Sequence, residues 1–147
     1  MKKSTYFILT ILILVLTTTI LFGCVSSNLR EKTVINNLKN EYQYTVKNIT
    51  NCAITDGWNI PDEDGNAPAQ LGTMLYATKD PIIEEETGAQ RGYEHEIWII
   101  YAKNYTSAGW VENKAKALAK ETGYNVYRKN RVVLYGDFET VRLVKSA

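Results

Sequence analysis

The single histidine, His95, stands between two acidic residues in the segment YEHEIWII, residues 93–100. A histidine beside carboxylates has the residue types for zinc binding or proton transfer, but a zinc site needs three or four ligands that converge on one point. If this segment is a strand, Glu94 and Glu96 point to the opposite face from His95, because side chains alternate along a strand. We therefore predict a surface or half-buried histidine and assign it neither a metal nor a catalytic role.

Other catalytic groups are equally scarce. A serine or cysteine nucleophile normally needs a nearby base, usually histidine, and the segment NITNCAIT gives Cys52 no cationic neighbour to activate its thiol. We predict that Cys52 is a small buried apolar residue. Glycoside hydrolysis uses two acidic side chains at a fixed separation, and the sequence does not reveal separations. It therefore predicts no catalytic residue, with a small glycan or cell-wall hydrolase that uses paired carboxylates as the alternative.

Two acidic runs, DEDGN at residues 62–66 and EEE at residues 84–86, have the ligand types that calcium prefers. In a calcium-binding loop with Gly65 at the sixth position, Ile60 and Leu71 would occupy the first and twelfth positions, where carboxylates are required. We therefore predict solvated turns and no metal or other cofactor. An irregular calcium site in the first run is the alternative.

The segment RKNR, residues 128–131, places Arg128, Lys129 and Arg131 around the tip of an expected hairpin. Charges at such a position favour a solvated turn and keep edge strands apart. The same cations are also suited to anionic headgroups or to an acidic partner near a membrane. Both interpretations stay open, and the three side chains are candidate interaction residues.

Trp58 lies in a segment rich in glycine and proline, residues 55–72, which predicts a long exposed loop. A large aromatic side chain in an exposed loop needs a partner. It fills either the core of its own domain or a contact patch for a ligand or protein, so Trp58 is a further candidate interaction residue.

Two asparagines, Asn48 in NIT and Asn104 in NYT, match the acceptor pattern for N-glycosylation. The pattern has meaning only if the chain is exported. We treat both residues as candidate modification sites on that condition.

The beginning of the chain differs sharply in composition from the rest. Lys2 and Lys3 precede an uncharged, largely apolar stretch, Tyr6–Phe22, and this order is typical of a secretory leader. The stretch ends in LFGC, residues 21–24, with Gly23 directly before Cys24. These four residues resemble the lipobox of prokaryotic lipoproteins.

The resemblance implies cleavage before Cys24 and a diacylglyceryl group on its thiol, so that the lipid membrane is a partner through Cys24. An uncleaved membrane anchor and ordinary secretion are the alternatives. Residues 1–23 would then be a signal peptide, 24–28 a short tether and 29–147 a soluble domain on the extracytoplasmic side of a cell membrane.

Removal of the leader lowers the count of basic residues from 17 to 15, against 16 acidic residues, for a formal net charge of −1. A near-neutral domain has no overall field that attracts a polyanion, so we expect no nucleic-acid partner.

Hydrophobic periodicity predicts elements in the order α–β–β–β–α–β–β–α. The segment Tyr93–Lys103 is the clearest strand, and its centre, Ile97–Tyr101, is apolar on both sides, which places it mid-sheet with cover on both faces. Residues 80–92 read as a loop. We predict a single α+β domain with a mainly antiparallel sheet and helices packed on it.

Local signals place the ends of several elements. Thr106 or Ser107 is expected to cap the long helix at its start, and Gly123 to end it in a left-handed conformation. Lys129 and Asn130 are expected at the tip of the last hairpin. Asp137 is expected to cap a final helix that buries Phe138, Val141 and either Val144 or Leu143.

Taken with the resemblance to a lipobox, these features predict a cell-envelope lipoprotein whose domain is a non-catalytic binding or assembly module. An envelope protein or a glycan is the expected partner class.

Overall fold

The computed structural model describes residues 29–50, Trp58 and residues 71–146. The predictions for the leader, for Cys24, for Cys52 and for the DEDGN segment lie outside these residues.

The described residues form one mixed domain in the predicted order. Helix α1, Glu31–Asn36, continues into a π-helical turn, Asn37–Glu41. The strands are β1 Thr45–Asn48, β2 Leu71–Ile83, β3 Gln90–Ala102, β4 Asn125–Lys129 and β5 Val132–Gly136. Helix α2, Tyr105–Thr122, connects β3 to β4, and α3, Phe138–Ser146, follows β5.

The five strands form one sheet in the order β1-β2-β3-β5-β4, and every neighbouring pair is antiparallel. This confirms the prediction of an α+β domain with an antiparallel sheet and helices packed on it. Within the described ranges, no helix has the length and apolarity needed to cross a membrane.

Helices cover both faces of the sheet, which makes three layers. Residues of α1 and α3 pack with Ile97 and Ile99 on one face, while α2 packs with Ile100 on the other. All three isoleucines are fully buried, and burial of each contributes about 1.5–3 kcal/mol. The prediction that the centre of β3 is covered on both sides is therefore confirmed.

Strand β2 is longer than predicted. Residues 80–83 were expected in a loop, but Pro81 pairs with Tyr93 and Ile83 with Gln90 in the β2–β3 ladder. Strand β1 reaches only as far as Thr78. Beyond that point no described residue pairs with β2 on its β1 side, and a proline is tolerated at such an edge.

Helix α2 begins at a different cap from the predicted one. Asn104 is the N-cap, and its side-chain Oδ1 accepts a hydrogen bond from the Ser107 main-chain N–H at 2.8 Å. Asparagine is among the strongest N-cap residues, and here its side chain accepts from a main-chain donor of the first helical turn. The predicted end is confirmed, because Gly123 has a φ of 75°.

The last hairpin turns one residue later than predicted. Lys129 still pairs with Val132, so the tip consists of Asn130 and Arg131, and Asn130 takes the left-handed conformation with a φ of 56°. Asparagine tolerates this conformation better than most residues.

Helix α3 confirms most of its prediction. Asp137 caps it, with Oδ1 accepting from the Thr140 main-chain N–H at 3.0 Å, and Val141 and Val144 are buried. Phe138 was expected to be buried but is 59% exposed. At about 100° per residue, it lies about 110° around the helix from the centre of the buried face formed by Thr140, Val141 and Val144.

Candidate functional site

One edge of the sheet brings together parts of the chain that are far apart in sequence. Because all strand pairs are antiparallel, the start of β2, the end of β3 and the tip of the β4–β5 hairpin meet at this edge. The beginning of α1 lies beside them. Together they surround a cavity of about 580 Å³, which we call the basic cup after its charged lining residues Arg30, Glu31, Lys103, Lys129 and Arg131.

The basic cup holds four cations and one carboxylate, that of Glu31. Arg131 donates a hydrogen bond from Nη1 to the main-chain oxygen of Lys103 at 3.0 Å, which orients its guanidinium without neutralising it. Across the described ranges, none of the four cations forms an ion pair with a carboxylate. A concave surface with an excess of one charge concentrates the field and attracts ligands of the opposite charge.

Tyr101 is one of the residues that line the basic cup, and its hydroxyl group lies in the protein interior. Its hydroxyl oxygen is buried and has no hydrogen-bond partner among the described residues. Burial, and secondarily the charge of Glu31, raises the pKa of the Tyr101 phenol, so the hydroxyl keeps its proton at neutral pH. A buried hydroxyl without a partner costs about 1–3 kcal/mol.

The structure separates Arg128 from the other two hairpin cations. Arg128 faces α2, where Nη1 donates to Glu112 Oε2 at 3.1 Å and Nη2 to the Tyr105 main-chain oxygen at 3.2 Å. Lys129 and Arg131 instead line the basic cup. Adjacent strand residues point to opposite faces, so only two of the three predicted cations belong to this site.

Trp58 is 7% exposed and packs edge-on against Tyr135, with ring centroids 6.0 Å apart. It belongs to the core between the sheet and α2. This placement corresponds to the alternative in which Trp58 fills the core of its own domain. It leaves almost no indole surface for a partner, so Trp58 is not part of the candidate site.

A second polar cluster lies on the α2 side of the sheet. The hydroxyls of Tyr76 and Tyr124 both donate hydrogen bonds to the carboxylate of Glu96. Trp98 lies beside them, 4.7 Å from the Tyr76 ring and 5.3 Å from the Tyr135 ring. Burial first, and then the hydrogen bond to Glu96, raises the pKa of both Tyr76 and Tyr124. Nothing in the sequence indicates this cluster, because its members come from three strands and from the loop before β4.

His95 lies at the other end of β3 from the basic cup. Its Nδ1 is 3.6 Å from Asp137 Oδ1. The expectation that both flanking carboxylates point away is confirmed for Glu96 but is wrong for Glu94. One ligand atom from each of Asp80, Glu94 and His95 lies within 4.8 Å of the others, and Asp80, on the neighbouring strand β2, has a left-handed φ of 56°. Both carboxylates are exposed, and such groups often lie together without a cation, so the cluster does not define a metal site.

Hydrogen bonds lower the pKa of two partly buried carboxyl groups, those of Glu112 and Asp137. Hydrogen bonds from Lys116 first, and then from Arg128, lower the pKa of Glu112. Burial alone would raise the pKa of Asp137, but hydrogen bonds from Thr140 and from the Glu96 main-chain N–H outweigh it and lower that pKa. The general acid of a glycosidase needs a raised pKa. The pKa values of Glu112 and Asp137 are instead both lowered.

The two candidate glycosylation residues are exposed and take part in local hydrogen bonds. Asn48 Oδ1 accepts from the main-chain N–H of Thr50 at 3.0 Å and from its hydroxyl at 2.6 Å. Asn104 caps α2, as described above. Both remain predictions.

No protein-family model matches this chain, and comparisons with curated proteins and with solved structures give no match either.

Proposed function

We propose that the protein is a cell-envelope lipoprotein, anchored through a diacylglyceryl group on Cys24, whose domain is a non-catalytic binding or assembly module. The observation that carries the binding role is the basic cup. Its four cations converge from three parts of the chain and form no ion pairs within the described residues. Such an arrangement is suited to holding an anionic partner.

The position of the basic cup supports its connection with the membrane. Arg30, which lines the cup, comes six residues after Cys24, and Leu29 forms part of the same wall. The four residues between Cys24 and Leu29 reach at most roughly 13 Å. A lipidated Cys24 would therefore hold the cup close to the bilayer surface. Two acyl chains on that thiol meet the requirement for stable attachment.

The anchoring part is tested by the intact mass of protein extracted from host membranes. A chain that begins at Cys24 and carries a diacylglyceryl increment supports the proposal. A full-length, unmodified mass contradicts lipidation and indicates a retained N-terminal segment.

The binding part is tested by photo-crosslinking in intact cells. A photoreactive side chain is introduced at position 129, in the basic cup, and in a matched protein at position 120, which is exposed on α2. A discrete adduct at position 129 that is absent at position 120 supports a binding site, and its mass assigns it to an envelope protein, a glycan or a lipid. Equal, diffuse labelling at both positions contradicts it.

A further inference from the structure

We infer that the basic cup binds the phosphate-bearing headgroup of an anionic phospholipid in the membrane to which the protein is tethered. This inference rests on the proposed function for the position of the cup, and it names the ligand of that same site. No covalent step is involved.

The lining of the cup has the chemistry that a phosphodiester needs. Arg30, Lys103, Lys129 and Arg131 supply four cations around the cavity. Arginine and lysine are the side chains that most often bind phosphate oxygens. The cavity of about 580 Å³ lies within the size range of sites for small ligands, so it has room for a headgroup, while the acyl chains would stay in the bilayer.

The rim of the cup favours a lipid surface over a soluble anion. Tyr105 lines the cup and is 62% exposed. Tyrosine is enriched at membrane interfaces, where its ring meets the apolar region and its hydroxyl meets the headgroups. An exposed tyrosine next to several cations is therefore the combination expected of a surface that lies against headgroups.

The tether also changes the affinity that the site requires. A short linker confines the cup to the surface, so that headgroups are present at a high effective concentration. Each cation near an anionic bilayer contributes about a fivefold gain in binding. A weak site that would stay empty against a dilute soluble phosphate is thus filled at the membrane.

The test uses the mature, lipidated protein in two kinds of vesicle. One is pure phosphatidylcholine, and the other contains about one third phosphatidylglycerol, which gives the surface a negative potential. Acetylation rates of individual lysines are measured by mass spectrometry in both. We expect acetylation of Lys103 and Lys129 to be slower by about fivefold or more on the anionic vesicles. Lys39 and Lys120, which are exposed outside the cup, should react equally on both.

A charge variant and a matched control identify the source of the protection. Arg30→Gln with Lys129→Gln removes two cup cations and keeps the hydrogen bond of Arg131, and it should abolish the protection of Lys103. Lys39→Gln with Lys120→Gln removes two positive charges outside the cup and should leave the protection of Lys103 unchanged.

The outcomes separate this inference from the proposed function. Flotation with pure phosphatidylcholine vesicles reports the tether alone, and its absence contradicts the proposed function. Equal acetylation of Lys103 and Lys129 on both vesicles overturns the headgroup inference. Equal protection by inorganic phosphate on phosphatidylcholine vesicles also overturns it, because the ligand would then be a soluble phosphate. Protection that appears only when an acidic protein is added overturns it in favour of a protein partner.

Discussion

Arg131 donates a hydrogen bond from its guanidinium to the main-chain oxygen of Lys103, and so ties the tip of the β4–β5 hairpin to the end of β3. A second hydrogen bond joins the same two segments, because the Ala102 main-chain N–H donates to the Arg131 main-chain oxygen at 2.9 Å. These contacts fix the distance between two walls of the basic cup. Because both contacts use main-chain oxygens as acceptors, they do not occupy the side chains of Lys103 and Lys129, which stay available for a ligand.

Replacing Arg131→Ala should lower the free energy of unfolding by about 0.5–1.5 kcal/mol, because one hydrogen bond to the main chain is lost. Lys103→Ala is the matched control. It removes a cation from the same cup but keeps the main-chain oxygen that Arg131 uses, so its stability should stay within about 0.5 kcal/mol of the parent. Urea unfolding of both variants measures the difference, and equal stabilities would show that the Arg131 contact contributes nothing.

Gly136 is expected to tolerate no side chain. A Cβ at this position would lie 2.3 Å from the Glu96 main-chain oxygen and 2.7 Å from Ile97 Cα, where the backbones of β5 and β3 approach closely. Gly136→Ala should therefore cost about 1–3 kcal/mol of stability. Gly92→Ala is the matched control, because a Cβ there meets nothing within 4 Å. Equal urea midpoints for the two variants would contradict the close approach.

The features that the sequence predicted correctly depend on neighbours in the chain. The left-handed end of α2 at Gly123 and the capping of α3 by Asp137 need only the adjacent residues. The cover on both faces of β3 follows from an unbroken apolar run at Ile97–Tyr101. Local conformational preference and side-chain alternation are sufficient in each case.

The features that the sequence did not predict depend on strand order. The sequence indicates Lys129 and Arg131 as candidates, but Lys103 joins them because β3 lies beside β5 in the sheet, and Arg30 because the start of α1 lies at the same end of the sheet. The Glu96 cluster arises in the same way, since Tyr76 and Tyr124 come from opposite sides of β3. Periodicity predicts which face a residue occupies, but it does not predict which strands become neighbours.

Protonation of Asp137 should cause part of the loss of stability that the domain shows at low pH. Its hydrogen bonds lower its pKa in the folded state, below the value of about 3.9 for an unfolded aspartate. A lowered folded-state pKa contributes stability above the unfolded pKa, and this contribution is lost as the pH falls through the folded value. Asp137→Asn keeps a capping side chain without the charge, so its unfolding free energy should vary less between pH 5 and pH 2, as about one titrating group is removed.

Urea unfolding at a series of pH values measures this effect, with Glu139→Gln as the control. Glu139 lies on the same helix, is exposed and forms an ion pair with the exposed Arg142, so its removal should leave the acid limb of the stability curve nearly unchanged. An Asp137→Asn protein whose acid limb matches that of the parent would show that the capping charge does not control acid stability.

Among the carboxylates on the α2 side of the sheet, Glu96 is the one whose substitution should lower the stability of the domain most. Its two oxygens accept from Tyr76 and Tyr124, whereas a glutamine offers one acceptor oxygen and an amide that can only donate. Glu96→Gln therefore leaves one phenol without its acceptor and should lower stability by about 1–3 kcal/mol. Without the neighbouring negative charge, the pKa of both phenols should also fall. Glu94→Gln, at an exposed position, is the matched control. Urea unfolding and ultraviolet titration of the tyrosines measure the two effects, and unchanged values in Glu96→Gln would refute the shared hydrogen bonds.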